Sequence, residues 1–152
     1  MGRFVIGTTN VSMDDLGGSS GPFSEASSNS IGSYRDIIYN RPTSGWNALR
    51  GDYGRTWYRI NTLNSLGGSN IQVRVTSPFT LLYASSHSLL DRVIPNTITT
   101  ITFESRVAYG GSGTFFAWTV NGDPRSSSNP WTATIATEFS NLAPTTVTAE
   151  YT

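Results

Sequence analysis

Apolar and polar side chains alternate along most of the chain from Arg55 onward. In the segment 71–75, for example, three β-branched residues alternate with two polar ones. Successive side chains of a strand point to opposite faces, so this period indicates half-buried strands. The pattern predicts seven strands, at 56–63, 71–76, 80–85, 97–107, 115–120, 131–139 and 145–152, and an eighth at 4–9.

Turn-forming residues separate these segments. Stretches rich in Gly, Asn and Pro, such as 67–70 and 121–124, lie between them, and no helical period of suitable length could connect two parallel strands as a βαβ unit. Short strands at this spacing are typical of antiparallel sandwiches. We therefore predict an all-β fold, an antiparallel β-sandwich of the jelly-roll or Ig-like kind with seven or eight strands, over residues 56–152.

Residues 1–55 have a different character. They are rich in Ser, Gly, Asn and Pro and show no sustained period of a strand or a helix. Ser12 and Ser33 could each cap a single helical turn, which the following Gly or Pro residues would end. A free linker has a similar composition, but linkers seldom carry apolar anchors such as Phe23, Tyr34 and Ile37. We predict an irregular, extended N-terminal arm with short helical turns, held by the body or by a partner.

The composition excludes several kinds of chemistry. The 152 residues include no Cys and one His, and all 10 basic residues are Arg. Disulfides, thiolate nucleophiles, Schiff-base lysines and multi-histidine metal sites are therefore excluded. The formal net charge of zero creates no field that attracts nucleic acid or an anionic membrane, and no apolar run approaches the roughly 20 residues of a membrane-spanning helix. We expect no cofactor, no metal, no nucleic-acid partner and no membrane partner.

Candidate catalytic groups are few. His87 lies among serines at 85, 86 and 88, but a nucleophile elbow needs a strand-to-helix turn that this pattern lacks. Glu104, Glu138 and Glu150 fall on the outward positions of their predicted strands, where charges solubilise the surface. We expect a protein without catalytic residues; a hydrolase that uses His87 is the weaker alternative.

The four tryptophans fall into two pairs. Trp118 and Trp131 occupy inward strand positions and are predicted to lie in the core. The other two lie in the segment 46–59, where arginines alternate with aromatic residues, as at interface hot spots. The predicted interface residues are Tyr34, Arg35, Arg41, Trp46, Arg50, Tyr53, Arg55, Trp57 and Arg59. Alternatives for this segment are stacking on bases or sugar rings, and a structural role for Trp57 at the start of the first core strand.

The arm contains a two-part sequence element. The sequence NVSMDDL (10–16), a Gly/Ser stretch and SIGSYRDI (30–37) together resemble a motif of structural proteins of tailed bacteriophages, in which an ISLSDL…FG element precedes a SLSDYYR-type element. The matching residues are Val11, Ser12, Asp15 and Leu16 in the first part and Ser30, Ser33, Tyr34 and Arg35 in the second. The FG pair is displaced or missing, unless Pro22-Phe23 stands in for it.

This resemblance implies a virion component that has no catalytic residues to transfer. Together with the residue pattern, it predicts a capsid decoration (cement) protein of the virion, assembled in the host cytoplasm. The arm and the segment 46–59 would bridge neighbouring capsid subunits, in repeated copies or as a homo-oligomer. The alternative is a tail, baseplate or fibre protein whose β-sandwich binds carbohydrate for receptor recognition, with sugar contacts at Trp46 and Trp57.

Overall fold

Strands dominate the part of the chain that the structure describes. The structure, a computed structural model, describes residues 3–5, 16–18, 21–24, 26, 28, 30, 33–34, 56–87, 94–95, 98–140 and 145–152. The strands are β1 (Arg3–Val5), β2 (Thr56–Tyr58), β3 (Ile60–Asn64), β4 (Ile71–Ser77), β5 (Ser86–His87), β6 (Ile94–Pro95), β7 (Thr100–Val107), β8 (Phe115–Val120), β9 (Asp123–Ser126), β10 (Trp131–Thr134) and β11 (Thr145–Tyr151). A short helix, α1 (Ile135–Glu138), lies between β10 and β11.

Two sheets form the body. One has five strands in the order β5-β3-β11-β8-β9, and the other has three in the order β10-β7-β4. Long strands such as β4 and β11 alternate buried with less buried residues, and the buried residues of both sheets belong to one apolar cluster. The predicted all-β, sandwich-like fold is therefore confirmed. A third, small sheet, β1-β2-β6, pairs a strand of the arm with β2.

One strand pair departs from the predicted antiparallel pattern. β3 and β11 lie side by side within the five-stranded sheet and run parallel, with Ile60 opposite Thr145 and Asn64 opposite Ala149. The chain between them forms β4 to β10 and α1 rather than a βαβ crossover. β3, near the start of the body, and β11, its last strand, are therefore hydrogen-bonded neighbours inside one sheet.

The core is centred on Phe103 of β7, which has no exposed surface. Its ring lies 5.8 Å from the ring of Trp118 in the other sheet, 5.9 Å from Trp131 and 6.2 Å from Phe139, measured between centroids. Trp118 and Trp131 are buried, as their inward positions predict. Because Phe103 and Trp118 belong to different sheets, these aromatic contacts are where the two layers meet.

A buried hydrogen-bond network also joins the two sheets. Ser105 Oγ of β7 lies 2.8 Å from Tyr151 Oη of β11. The Asn129 side chain accepts a hydrogen bond from the Ser105 N–H at 3.0 Å and donates one to the Ser105 carbonyl at 2.9 Å. It thereby pairs with β7 much as a neighbouring strand would, and the backbone groups of Ser105 that face it are satisfied.

The predicted strand 131–139 is a strand followed by a helical turn. β10 ends at Thr134, and α1 follows it directly. Ile135 and Phe139 are both buried and the Phe139 N–H donates to the Ile135 carbonyl at 2.9 Å, whereas Thr137 is exposed. Two buried residues four positions apart fit one face of a helix, while a strand would have turned Thr137 inward. The strand prediction is therefore wrong beyond Thr134.

The predicted strand 56–63 is interrupted at Arg59. β2, before the break, joins the small sheet, and β3, after it, joins the five-stranded sheet. Tyr58 and Ile60 are buried in the core cluster. Arg59, which lies between them, is also buried, but its side chain donates a hydrogen bond to Ser24 of the arm. Alternation alone would leave Arg59 in solvent; contact with the arm accounts for its burial.

Two further predicted strands are longer than the strand pairing that the structure shows. In the segment 80–85, Ala84 forms an isolated bridge with β4, and the chain then enters the other sheet, where β5 pairs with β3. The strand predicted at 97–107 begins at Thr100. One chain segment therefore contributes pairing to both layers.

The hairpin of β8 and β9 occupies a segment expected only as a turn. Asn121 and Gly122 form its two-residue turn with positive φ angles of 50° and 89°, and β9 returns antiparallel to β8. Asn-Gly between two strands is a strong sequence signal for such a hairpin. Pro124 obscures the signal, because proline in a sheet is confined to positions such as edge strands, and β9 is an edge strand.

The described part of the arm agrees with short helical turns. Residues 16–17 and 33–34 are helical, close to the turns predicted from Ser12 and Ser33. Of the strand predicted at 4–9, β1 covers the beginning, and residues 6–9 lie outside the described residues. The boundary predicted at residue 55 also lies outside them and stays a prediction.

We predict that Phe103→Ala lowers the free energy of unfolding by about 3–5 kcal/mol, because it leaves a cavity where the two sheets meet. Phe116→Ala is the matched control, since Phe116 is half exposed and its loss should change the free energy of unfolding by about 1 kcal/mol or less. Urea denaturation followed by tryptophan fluorescence measures both. Similar losses for the two variants would contradict a core centred on Phe103.

Candidate interface and polar sites

Three apolar side chains of the arm form a small buried group, the arm cluster, which consists of Leu16, Phe23 and Tyr34. Each is at most 1% exposed. The rings of Phe23 and Tyr34 stack with centroids 5.1 Å apart, and the Phe23 N–H donates to the Leu16 carbonyl at 2.8 Å. Leu16 and Tyr34 come from the two parts of the phage-like motif, and Phe23 comes from the stretch between them. The structure thus links one residue of each motif element to Phe23, which lies between them in the sequence.

Serine hydroxyls fix the turn that carries Tyr34. Ser28 Oγ lies 2.6 Å from Ser33 Oγ and 3.0 Å from Ser30 Oγ. The Tyr34 N–H donates to the Ser30 carbonyl at 3.0 Å. Local side-chain hydrogen bonds of this kind stabilise turns in segments that lack a regular period. The serines of the second motif element therefore stabilise the turn that carries Tyr34.

Described residues of the arm contact the body near the start of β3 and beyond α1. At the junction of β2 and β3, Arg59 Nη1 donates to Ser24 Oγ at 3.3 Å. Beyond α1, Arg3 Nη1 donates to the Ser140 carbonyl at 3.0 Å, while β1 pairs with β2 through three residues. The arm therefore contacts the body through polar groups and one short strand.

Of the nine predicted interface residues, Tyr34 and Arg59 are the two whose side chains the structure describes. Tyr34 has no exposed surface and Arg59 is 5% exposed. Both are buried against other parts of the same chain in this conformation, and their interface role stays a prediction. The backbone of Trp57 lies in β2, opposite Phe4 of the arm. The side chain of Trp57 and residues Arg35, Arg41, Trp46, Arg50, Tyr53 and Arg55 lie outside the described residues, and their interface role stays a prediction.

The candidate catalytic groups take part in contacts within the body. His87 lies in β5, and its Nε2 is 3.1 Å from the Leu82 carbonyl oxygen. Glu150 accepts a hydrogen bond from a threonine of β8 at 2.9 Å. Glu104 and Glu138 each pair with an arginine; Glu138 does so from α1 and not from the strand that the alternation predicts. A catalytic role for His87 stays an untested alternative.

Four residues on the outer face of the three-stranded sheet form the arginine–tyrosine cluster: Arg74, Tyr83, Glu104 and Arg106. Arg74 donates to Glu104 Oε2 from Nε at 3.1 Å and from Nη2 at 2.9 Å. The guanidinium carbons of Arg74 and Arg106 lie 4.1 Å and 3.8 Å from the centroid of the Tyr83 ring, within the range of cation–π attraction. The register of β4 and β7 creates this arrangement, because it places Arg74 opposite Glu104, and Arg106 lies two residues beyond Glu104 on the same face of β7.

The charges of this cluster are coupled. Burial alone would raise the pKa of Glu104, but hydrogen bonds from Arg74 and Tyr83 and the positive charges of both arginines outweigh it and hold the pKa below its ordinary value of 4.5. Burial, followed by the interaction with the Glu104 carboxylate, raises the pKa of Tyr83. The favoured state is an ionised Glu104 beside a neutral tyrosine.

A cleft of about 410 Å³, the polar cleft, lies beside the β8–β9 turn and α1. Its lining includes Asn121, Asp123, Arg125, Glu138, Ser140 and Thr145. Arg125 Nε donates to Glu138 Oε2 across it. Asn121 Oδ1 accepts a hydrogen bond from the Thr146 N–H at 2.9 Å, which ties the hairpin turn to the start of β11. The cleft therefore has a polar lining on well-defined elements.

Neither the arginine–tyrosine cluster nor the polar cleft is among the sites predicted from the sequence. The Asn121-Gly122 turn signal could have placed Asp123 and Arg125 on an edge strand beside that turn. The partners Arg74 and Glu104 are distant in the sequence, and only the strand register shows that they are neighbours. No local pattern carries that information.

Within the described ranges, no group of three or more His, Asp or Glu side chains is arranged to hold a metal ion. The same residues include no helix with the length and hydropathy that crossing a membrane requires. Comparisons with protein-family models, with curated protein sequences and with solved structures found no match to this chain.

We predict that Leu16→Ala makes the Tyr34 amide hydrogen exchange at least about tenfold faster, because the cavity destabilises the arm cluster by more than the 1.4 kcal/mol that corresponds to a factor of ten. Leu82→Ala is the matched control, since Leu82 is 87% exposed. Amide exchange followed by NMR measures both. Equal exchange rates in the two variants would show that the arm cluster does not stabilise the arm.

We predict that Glu104→Gln lowers the free energy of unfolding at pH 7 by up to about 1 kcal/mol, the usual range for a partly exposed ion pair. The folded state lowers the pKa of Glu104 below 4.5, so the stabilisation is present above that pH and is lost as the pH falls through the folded-state pKa. Urea denaturation of both proteins between pH 7 and pH 3 tests this. The difference should shrink towards the acid end; a constant difference would contradict it.

Proposed function

We propose that this chain is a non-enzymatic structural protein of a tailed-bacteriophage virion, and specifically a capsid decoration (cement) protein. Its partners are neighbouring capsid subunits, which it bridges and stabilises by contact. It occurs on the particle in repeated copies or as a homo-oligomer and needs no cofactor.

The arm cluster is the observation that carries this proposal. The resemblance to phage structural proteins rests on two short sequence elements that could match by chance. Contact of Leu16 with Phe23 and of Phe23 with Tyr34 gives those elements a common structural role. A motif whose parts pack together is better support for a shared fold of the arm than a motif of unconnected residues.

The separation of the arm cluster from the main core supports a role in contact. Among the described residues, Leu16, Phe23 and Tyr34 are buried but are not members of the apolar cluster of the body. An arm with its own apolar cluster can engage a neighbouring subunit without opening the body. Ordering such a segment costs about 1–2 kcal/mol per residue in backbone entropy, which repeated contacts on a particle can offset.

The surface of the body supports contact as well. The arginine–tyrosine cluster presents Arg106 as an exposed side chain over the ring of Tyr83. Arg and Tyr are enriched at interface hot spots, since both combine broad contact area with hydrogen-bonding groups. This patch is a second surface at which a neighbour could bind.

The alternative is a tail, baseplate or fibre protein with a carbohydrate-binding β-sandwich. The polar cleft favours it, because a polar concave site suits a hydroxyl-rich ligand. Trp118 and Trp131, being buried, are not exposed platforms for sugar rings. The sugar-stacking role of Trp46 and Trp57 stays a prediction.

Binding to undecorated heads of the phage that encodes the chain tests the proposal. We expect the full-length protein to co-sediment with heads until binding saturates and to raise the temperature at which the heads release DNA. Leu16→Ala should reduce the bound fraction at least about tenfold at subsaturating concentration, because the loosened arm must be ordered again on binding.

Leu82→Ala, in an exposed position, is the control and should bind as the wild type does. Binding to purified tails instead of heads would favour the alternative role. Absence of binding to either particle would overturn the proposal.

A further inference from the structure

The polar cleft has the size and support of a small-molecule site. Its volume, about 410 Å³, lies within the range of ligand pockets in proteins. Asp123 lies on β9, Glu138 on α1, and Thr145 is the first residue of β11. Asn121 accepts a hydrogen bond from the backbone of β11, which holds two of these elements together. Groups carried on strands and a helix keep their positions better than groups on loops.

The charges that line the cleft nearly cancel. Hydrogen bonding to Glu138, followed by the negative charges of Glu138 and Asp123, raises the pKa of Arg125, so one cation lies close to two carboxylates. Arg3 adds a second positive charge beside the cleft, through its hydrogen bond to the Ser140 carbonyl. A divalent cation would meet the charge of Arg125, and an anion would meet Asp123. The lining suits an uncharged polar molecule.

A buried hydroxyl provides an independent indication of a ligand. Thr145 lines the cleft and is 1% exposed, and its Oγ1 has no hydrogen-bond partner among the described residues. A buried polar group without a partner costs about 1–3 kcal/mol. Other buried atoms of the described residues, such as Thr62 Oγ1 and Trp118 Nε1, also lack a partner, but Thr145 is the one of these residues that lines the cleft, where a ligand could supply the missing hydrogen bond.

We propose that the polar cleft binds a neutral saccharide. Each hydroxyl of a sugar both donates and accepts hydrogen bonds, which matches a lining that mixes acceptors with donors. Adjacent hydroxyls can donate to the Asp123 carboxylate and accept from the Arg125 guanidinium, and a third group of the sugar can pair with Thr145 after a small rotation of its side chain. This inference rests on the cleft alone and holds for a head protein or a tail protein.

An NMR titration of the full chain with sugars tests it. The probes are the methyl glycosides of glucose, galactose, mannose and N-acetylglucosamine at millimolar concentration, with calcium chloride and sodium sulfate as separate additions. We expect at least one glycoside to shift the amide signals of Asn121, Gly122, Asp123 and Arg125 until they saturate, and neither salt to do so. Shifts caused only by calcium or only by sulfate, or no shifts at all, would overturn the proposal.

For the glycoside that binds, two variants of cleft residues and one control variant test whether the sugar is bound in the cleft. Asp123→Asn should weaken binding at least about fivefold, since charged acceptors form the stronger hydrogen bonds. Glu150→Gln, in which a carboxylate outside the cleft is changed, should bind as the wild type does. Equal affinities for wild type and Asp123→Asn would contradict the site.

Thr145→Val separates a ligand-binding hydroxyl from a structural one. Removing an unpartnered hydroxyl should raise Tm by about 2–4 °C, whereas loss of a contact to the sugar should weaken binding at least about threefold. A structural role for the hydroxyl would lower Tm instead. A variant with raised Tm and unchanged affinity would show that Thr145 does not serve the ligand, and would overturn its assignment.

Discussion

The meeting of the two sheets at Phe103 is the contact on which the other features of the body depend. Phe103 of the three-stranded sheet packs against Trp118 of the five-stranded sheet, and the Ser105–Tyr151 hydrogen bond joins the same two layers nearby. Once the layers are fixed, the outer face of β4 and β7 presents the arginine–tyrosine cluster. The β8–β9 hairpin, α1 and β11 are held around the polar cleft.

Local periodicity is enough to predict most of the body, because alternating burial is a property of each strand by itself. It fails where burial depends on contacts that are distant in the sequence. Arg59 is buried because it contacts the arm, and Ile135 and Phe139 form a helical face because the chain turns away from the sheet after β10. The parallel pairing of β3 with β11 joins segments far apart in the chain, and no local pattern contains it. β9 is different, since Asn121-Gly122 does signal a hairpin.

The candidate sites also divide into features that a local sequence pattern can predict and features that depend on contacts distant in the sequence. Tyr34 could be identified as an anchor from the sequence, since an aromatic residue in a Ser/Gly-rich segment needs a reason, although its contact is with Phe23 of its own chain. Arg74 and Arg106 attract no notice until the register with β7 and the position of Tyr83 are known. The polar cleft collects residues from β8, β9, α1 and β11 and from the chain beside them, and none of these residues is unusual in its own segment. Composition favours a protein that works by contact, which stays a prediction, and it carries no information about where on the fold such contacts lie.

The central claim is that the chain is a structural part of a phage particle, bound there through its arm. Electron cryomicroscopy of the virion of the encoding phage tests this most directly. We expect repeated density on the head that fits the two-sheet body, with the side that carries β1 and the arm cluster turned towards the capsid subunits. Particles in which this chain is absent, or in which it is bound through the opposite end of the body with the arm in solvent, would contradict it.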